Sequence, residues 1–207
     1  MNPTPTAAHA QHSHATHRGP LQWRQIVDWL CEDGVISSAQ AERTIERCSR
    51  AESSQHPLVR LASVSMVREG DGKVLDLDAL TETVASRCGL PFLRIDPLKV
   101  DAGRVAEAMS ASYAERHKIL PVQVSASEIV VATAEPFIAD WVSEIERQAK
   151  RHVRRVLSNP HDIKRYTAEF YALAKSVRAV QKSGGSAGGS SFEQLVELGR
   201  TGEVGAD

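Results

Sequence analysis

Two β-rich runs, Ile119 to Val124 and Glu128 to Thr133, are separated only by Ser125, Ala126 and Ser127, which fixes a hairpin in the middle of the chain. The residues beyond Thr133 supply the layers that cover it. Ile138, Trp141, Val142, Ile145 and Ala149 recur at helical spacing, and "HVRRVL" then reads as a third strand. Asn159 followed by Pro160 forms an N-cap and first-turn pair for a last helix that buries Ile163, Tyr166, Phe170 and Val177. Residues 90–178 are therefore expected to form a small α+β subdomain, with helices against a three-stranded sheet.

The preceding stretch has a helical grammar. Trp23, Ile26, Val27 and Leu30 share one face, and Gly34 is placed to end that helix as its C′ residue. Ser37, with Gln40 three positions on, has the form of a capping box for a second helix whose buried side is Ala41, Ile45 and Cys48. Pro57 opens a third helix as its N1 residue, with Leu58, Leu61, Ala62 and Ser65 on one stripe. After the polar turn "REGDGK" a fourth helix begins near Asp76, turns Leu77, Leu80, Val84 and Cys88 inward, and stops at Gly89 before Pro91. Residues 21–89 are thus expected to be a helical subdomain.

Both ends read differently. Residues 1–20 carry almost no large apolar side chains and are expected to be a disordered tail. His9, His12, His14 and His17 lie in it without a carboxylate or Cys at the spacing of a rigid site, so no metal is assigned. The stretch "SGGSAGGSS" reads as a flexible linker and "FEQLVELGRTGEVGAD" as the opening of a short amphipathic piece, so residues 179–207 are expected to be linker and the start of a further portion.

Bulk charge excludes little but narrows the partners. Lys plus Arg (25) nearly cancels Asp plus Glu (26), so no global field draws the chain to nucleic acid or anionic lipid. Cys31, Cys48 and Cys88 stand apart on apolar helical stripes, which suggests neither a disulfide framework nor a zinc site but free thiols in a reducing cytosol. No apolar run approaches the ~20 residues needed to cross a bilayer. The amino terminus lacks the apolar centre of a signal peptide, and a cytoplasmic location is expected.

Catalytic motifs are missing. The glycine-rich stretch Gly184 to Ser191 is followed by no Lys and preceded by no strand, whereas a phosphate loop needs both. The cluster Arg147, Lys150, Arg151, Arg154 and Arg155 could track phosphates, but no aromatic residues interleave with it on the strands. It is carried as a nucleic-acid alternative to a solvated face or a contact with an acidic partner.

Four segments together resemble the amino-terminal region of type II secretion and type IV pilus assembly ATPases. They are "IVDWLCEDGVISSAQAERTIERC", "LTETVASRCGLPFLRIDP", "ERHKILPVQVSASEIVVATAEP" and "NPHDIKRYTAEFYALAKSV". The resemblance covers roughly Leu21 to Val177. It implies a non-catalytic docking and regulatory module that links a motor to the cytoplasmic domain of an inner-membrane platform protein. ATP and Mg would belong to a hexameric core not matched here, and the chain would lie peripheral to the membrane. Trp23, Ile26, Trp29 and Leu30 are the candidate partner contacts. Trp29 lies off the main stripe, either exposed to a partner or packed on the second subdomain.

Some members of that family bind cyclic di-GMP through two tandem helical motifs, each opening Arg-Leu-Gly with a later Gly and Gln. Carried over, the first copy would open at Gln25, Ile26 and Val27 and keep Gly34 and Gln40. The second opens at Arg60, Leu61 and Ala62, with Arg87 where Gln is expected. The resemblance thus makes Arg60, Leu61, Gly34 and Gln40 the candidate ligand positions. The missing first Arg and both missing motif glycines weigh against the dinucleotide.

Overall fold

A computed structural model describes residues 19–50 and 52–184. Four helices come first, α1 (Trp23–Glu32), α2 (Ser38–Ser49), α3 (Pro57–Ala62) and α4 (Leu77–Arg87). Two short ones come next, α5 (Ala102–Ala108) and α6 (Ala111–His117). The remainder is β1 (Ile119–Val124), β2 (Glu128–Thr133), α7 (Asp140–Ala149), β3 (His152–Leu157) and α8 (Pro160–Gly184). The chain is α+β, as expected.

Local chemistry sets these boundaries. Gly34 and Gly89, at φ +66° and +67°, end α1 and α4 in the left-handed region that glycine enters without a Cβ clash. After each glycine a bond closes the last turn, Val35 N–H to the Leu30 carbonyl at 2.8 Å and Leu90 N–H to the Ala85 carbonyl at 3.0 Å. Asp76 caps α4 by accepting from Ala79 N–H at 2.8 Å. Asn159 caps α8 by accepting from Asp162 N–H at 2.8 Å, with Pro160 at the first helical position.

The sheet runs β1-β2-β3, with β1 antiparallel and β3 parallel to β2. A parallel step needs a crossover, which α7 supplies. Side chains of β2 alternate between two buried faces. Ile129 and Val131 share a cluster with Trp141 and Ile145 of α7, whereas Val130 and Ala132 share one with Ile163, Tyr166 and Phe170 of α8. The register shifts between Pro121 and Gln123, so Val122 stays with Leu120 on the α8 face and Val124 falls on the α7 face. Pro121 is tolerated because β1 is an edge strand.

Several contacts fasten the helical half to the sheet. Phe92 bridges to Leu157, with Leu93 N–H to the Leu157 carbonyl and Leu157 N–H to the Pro91 carbonyl, both at 2.8 Å. Leu157 itself lies in the core of the helical half at 0 % exposure. Glu135, after β2, accepts from the Leu21 N–H at 2.7 Å and faces His56 Nε2 at 3.2 Å. Asn159 Nδ2 donates to Asp78 at 2.6 Å, and Arg94 pairs with the same carboxylate.

Some expectations are corrected. Ser37 begins α2 without a side-chain bond, and Gln40 does not reach back to complete a capping box. The Gln40 amide instead donates to the Val67 carbonyl at 2.8 Å and accepts from Val67 N–H at 2.6 Å, clamping the small hairpin closed by the Val67–Val74 bridge. Ser65 lies beyond α3 in the left-handed region at φ 58°, outside the helical stripe. Val177 is 47% exposed, because the buried stripe of α8 ends at Ala174. That helix also continues past Arg178 to Gly184, into the stretch read as linker. The four tail histidines and residues 185–207 lie outside the described residues.

Tyr171, on the flank of α8, donates its hydroxyl to the Met109 carbonyl at 2.9 Å. Burial, with the Glu115 carboxylate adding to it, pushes the phenol up to about 12. The fold therefore favours the protonated phenol. That contribution is complete below the unfolded value of about 10 and is lost as pH rises through about 12. Tyr171→Phe is expected to flatten the loss of stability between pH ~10 and ~12, read by urea unfolding across that range.

Candidate docking and nucleotide positions

The four residues expected to meet a partner divide into two kinds. Ile26 and Leu30 are 0 % exposed and belong to the core of the helical half, so they offer no surface. Trp23 and Trp29 are half-buried. Trp29 meets Phe137 edge-on at 6.2 Å between ring centroids, which places it on the second half of the chain. The Arg87 guanidinium lies 5.8 Å from the Trp29 ring while pairing with Glu32 at 2.6 Å and with Asp33. The residue standing where the family motif has Gln thus ties α4 to the end of α1.

Trp23, like Trp29, keeps part of its ring at the surface. Guanidinium groups of Arg24 and Arg60 each lie 5.0 Å from its ring centroid, a doubled cation–π contact on a partly exposed indole. Arg60 also donates to the Cys48 carbonyl at the end of α2, and Arg24 to Ser49 at 3.2 Å. The stack therefore rests on the carboxyl end of α2, where carbonyl groups favour positive charge.

The four nucleotide positions do not converge as a set. Leu61 is 0 % exposed, Gly34 serves the turn after α1, and both faces of the Gln40 amide are occupied by Val67. Gly34 and Gln40 border the Val67–Val74 hairpin, since Val35 accepts from Glu69 N–H at 2.9 Å. Arg60 sits instead with Trp23 and the end of α2.

The basic cluster is divided by the strand that carries half of it. Arg154 and Arg155 are consecutive in β3 and point to opposite faces. Arg154 is held by Glu128 at 3.2 Å, and Arg155 donates to the Pro136 carbonyl at 2.9 Å. Arg147, Lys150 and Arg151 surround the end of α7, with Lys150 left-handed at φ 51°. Together these do not form a continuous phosphate track.

The cysteines are free, and Cys48 is buried. Burial pushes the Cys88 thiol up to about 11, against the lowering effect of Arg87, so it stays protonated and inert near neutrality. Among the described residues no group of three His, Cys, Asp or Glu is placed to hold a metal ion, and no helix is long and apolar enough to cross a membrane.

Residues 88–177 match the MshEN domain family. The type IV pilus assembly ATPase TfpB of Acinetobacter baylyi (strain ATCC 33305 / BD413 / ADP1) is 32% identical over 163 residues, covering 76% of this chain. The chain spans 27% of that relative's length. A solved structure of MshE with cdg superposes with a TM-score of 0.52 at 18% identity, covering 70% of this chain and 98% of that one. The N-terminal domain of XpsE gives a TM-score of 0.44 at 16% identity, covering 73% of this chain and 98% of that one. Over most of its length the chain is thereby similar to a region of a type IV pilus assembly ATPase. Within it, residues 88–177 belong to the MshEN domain family.

Proposed function

We propose that this region is a docking module that holds a motor ATPase against the cytoplasmic domain of an inner-membrane platform protein. The observation that carries the reading is the Arg24–Trp23–Arg60 stack. Trp and Arg are enriched in binding hot spots, Trp for a large apolar area on few flexible bonds and Arg for a planar, directional charge. Here the stack sits on a helical layer bonded to the sheet at several points, so a partner would meet a preorganised surface. Arg24 and Arg60 favour a platform segment that carries acidic residues.

Purified chain immobilised against platform cytoplasmic domains is expected to bind, and Trp23→Ala to weaken binding by ten-fold or more, about 1.4 kcal/mol. Undiminished binding by Trp23→Ala would move the contact elsewhere. No binding to any such domain from the same genome would end the docking reading.

A cyclic di-GMP sensor is the second reading. It is favoured by the same stack, since guanidinium and indole faces suit a guanine base, and by the fold shared with MshE, whose structure was solved with cdg. Calorimetry should then give saturable heat abolished by Arg60→Ala. A flat titration at ~100 μM ligand, equivalent to binding weaker than about −5.5 kcal/mol, rejects it.

A further inference from the structure

A shallow groove of about 540 Å³ runs between the carboxyl half of α8 and the junction of α5 with α6. Ala106 and Ala111 on one wall, with Tyr171 and Ala174 on the other, make it largely apolar, and Lys175 and Arg178 stand on its rim. Both cations are exposed and neither makes an ion pair among the described residues. We propose that this groove is the docking site of the chain's own segment Phe192 to Leu198, "FEQLVEL", folded back along α8.

Two observations select that occupant. The first is reach. From the end of α8 at Gly184 back to Arg178 is roughly 9 Å along the helix axis at about 1.5 Å per residue. A packed segment would lie about 8–10 Å to the side, so the gap to be crossed is roughly 13 Å. The intervening residues 185–191 are glycine, serine and alanine alone, and a chain of that length and composition has a root-mean-square span of about 15 Å. A linker whose natural span matches the gap gives the highest effective concentration of the tethered segment.

The second is charge and pattern. Wound as a helix, the segment places Phe192, Leu195 and Val196 on one face and both carboxylates, Glu193 and Glu197, on a single flank. Running antiparallel to α8, that flank meets Arg178 and then Lys175, whose spacing of about 4.5 Å along the axis approaches the roughly 6 Å between the two glutamates. The small floor of the groove leaves room for the larger apolar side chains.

Hydrogen exchange on the full chain tests it. Amides of residues 195–198 are expected to exchange at least ~10-fold more slowly than in a free peptide of the same sequence. The double reversal Lys175→Glu with Arg178→Glu, both on the surface, is expected to remove that protection. Adding Glu193→Lys and Glu197→Lys should restore it. Free-peptide rates in the unaltered chain would overturn the proposal, as would protection indifferent to the double reversal or not restored by the swap. Protection that grows with protein concentration alongside a dimer mass would put the segment on another copy, which also overturns it.

Discussion

Trp141→Ala is expected to lower the unfolding free energy by about 4 kcal/mol. Trp141 is 1% exposed and fills the space between α7 and the sheet, in one cluster with Ile119, Ile129, Val131 and Val153. Cutting it to a methyl group removes the transfer energy of a whole indole and leaves a cavity that a sheet and a helix cannot collapse to fill. The indole N–H has no hydrogen-bond partner among the described residues, so its contribution is one of packing. Trp141→Phe should therefore cost only about 1 kcal/mol, since it keeps a ring and gives up no bond. Urea unfolding of both variants decides the matter. A phenylalanine variant as damaged as the alanine one would mean that the N–H is bonded in solution and the packing account is wrong.

Glu135→Ala should cost about 3 kcal/mol, and the loss should be felt at the seam between the two halves. The carboxylate accepts from the backbone N–H of Leu21, a residue 2% exposed, and faces His56. His56 uses Nδ1 to accept from Leu58 N–H at 3.3 Å and so cap α3, while its buried Nε2 lies 3.2 Å from the Glu135 carboxylate without a hydrogen bond to it. Without the carboxylate the buried Leu21 N–H loses its acceptor and His56 loses the charge it faces, and taking a charged acceptor from a buried donor costs about 1.5–3 kcal/mol. Glu135→Gln can still accept from Leu21 but presents a poorer partner to His56, so a loss near 1 kcal/mol is expected. If the alanine variant unfolds as one transition with unchanged midpoint, Glu135 does not couple the halves. Exchange rates at Leu21 and Leu58 give the local reading.

Much of the fold is legible because short-range chemistry fixes it. The hairpin at Ile119 to Thr133, the strand "HVRRVL" and the Asn159–Pro160 start of α8 all stand where β-branched runs and cap residues put them. The short helices α5 and α6 gave too few turns to establish a period. Their only signals were caps, Asp101 accepting from Arg104 N–H at 3.1 Å and Ser110 accepting from Tyr113 N–H at 3.3 Å. Gln40 shows a different limit. A capping-box spacing states what a side chain can reach within its own helix, and says nothing of Val67, which offers it two bonds at once.

The candidate site was harder to read for a related reason. A stripe of apolar residues identifies a face but not what covers it, and the stripe holding Ile26 and Leu30 turned out to be covered by the chain itself. The partner of Trp29 is Phe137, distant in sequence and outside any helical wheel. Arg60 stands out in the sequence only through the family motif, yet its place beside Trp23 comes from the packing of α3 against α1.

The residues joining the helical half to the sheet are not a loose tether. Pro91 and Leu93 bond to Leu157 on β3, and Ser158 donates to the Leu93 carbonyl at 2.6 Å. A tug on the helical half, directed along that strand, would load these bonds side by side and in shear. They would have to fail together, not one after another as in an unzipping hairpin. Displacement imposed at one end of the module would then be passed to the sheet and on to α8 with little slack, as a stiff lever passes on a stroke.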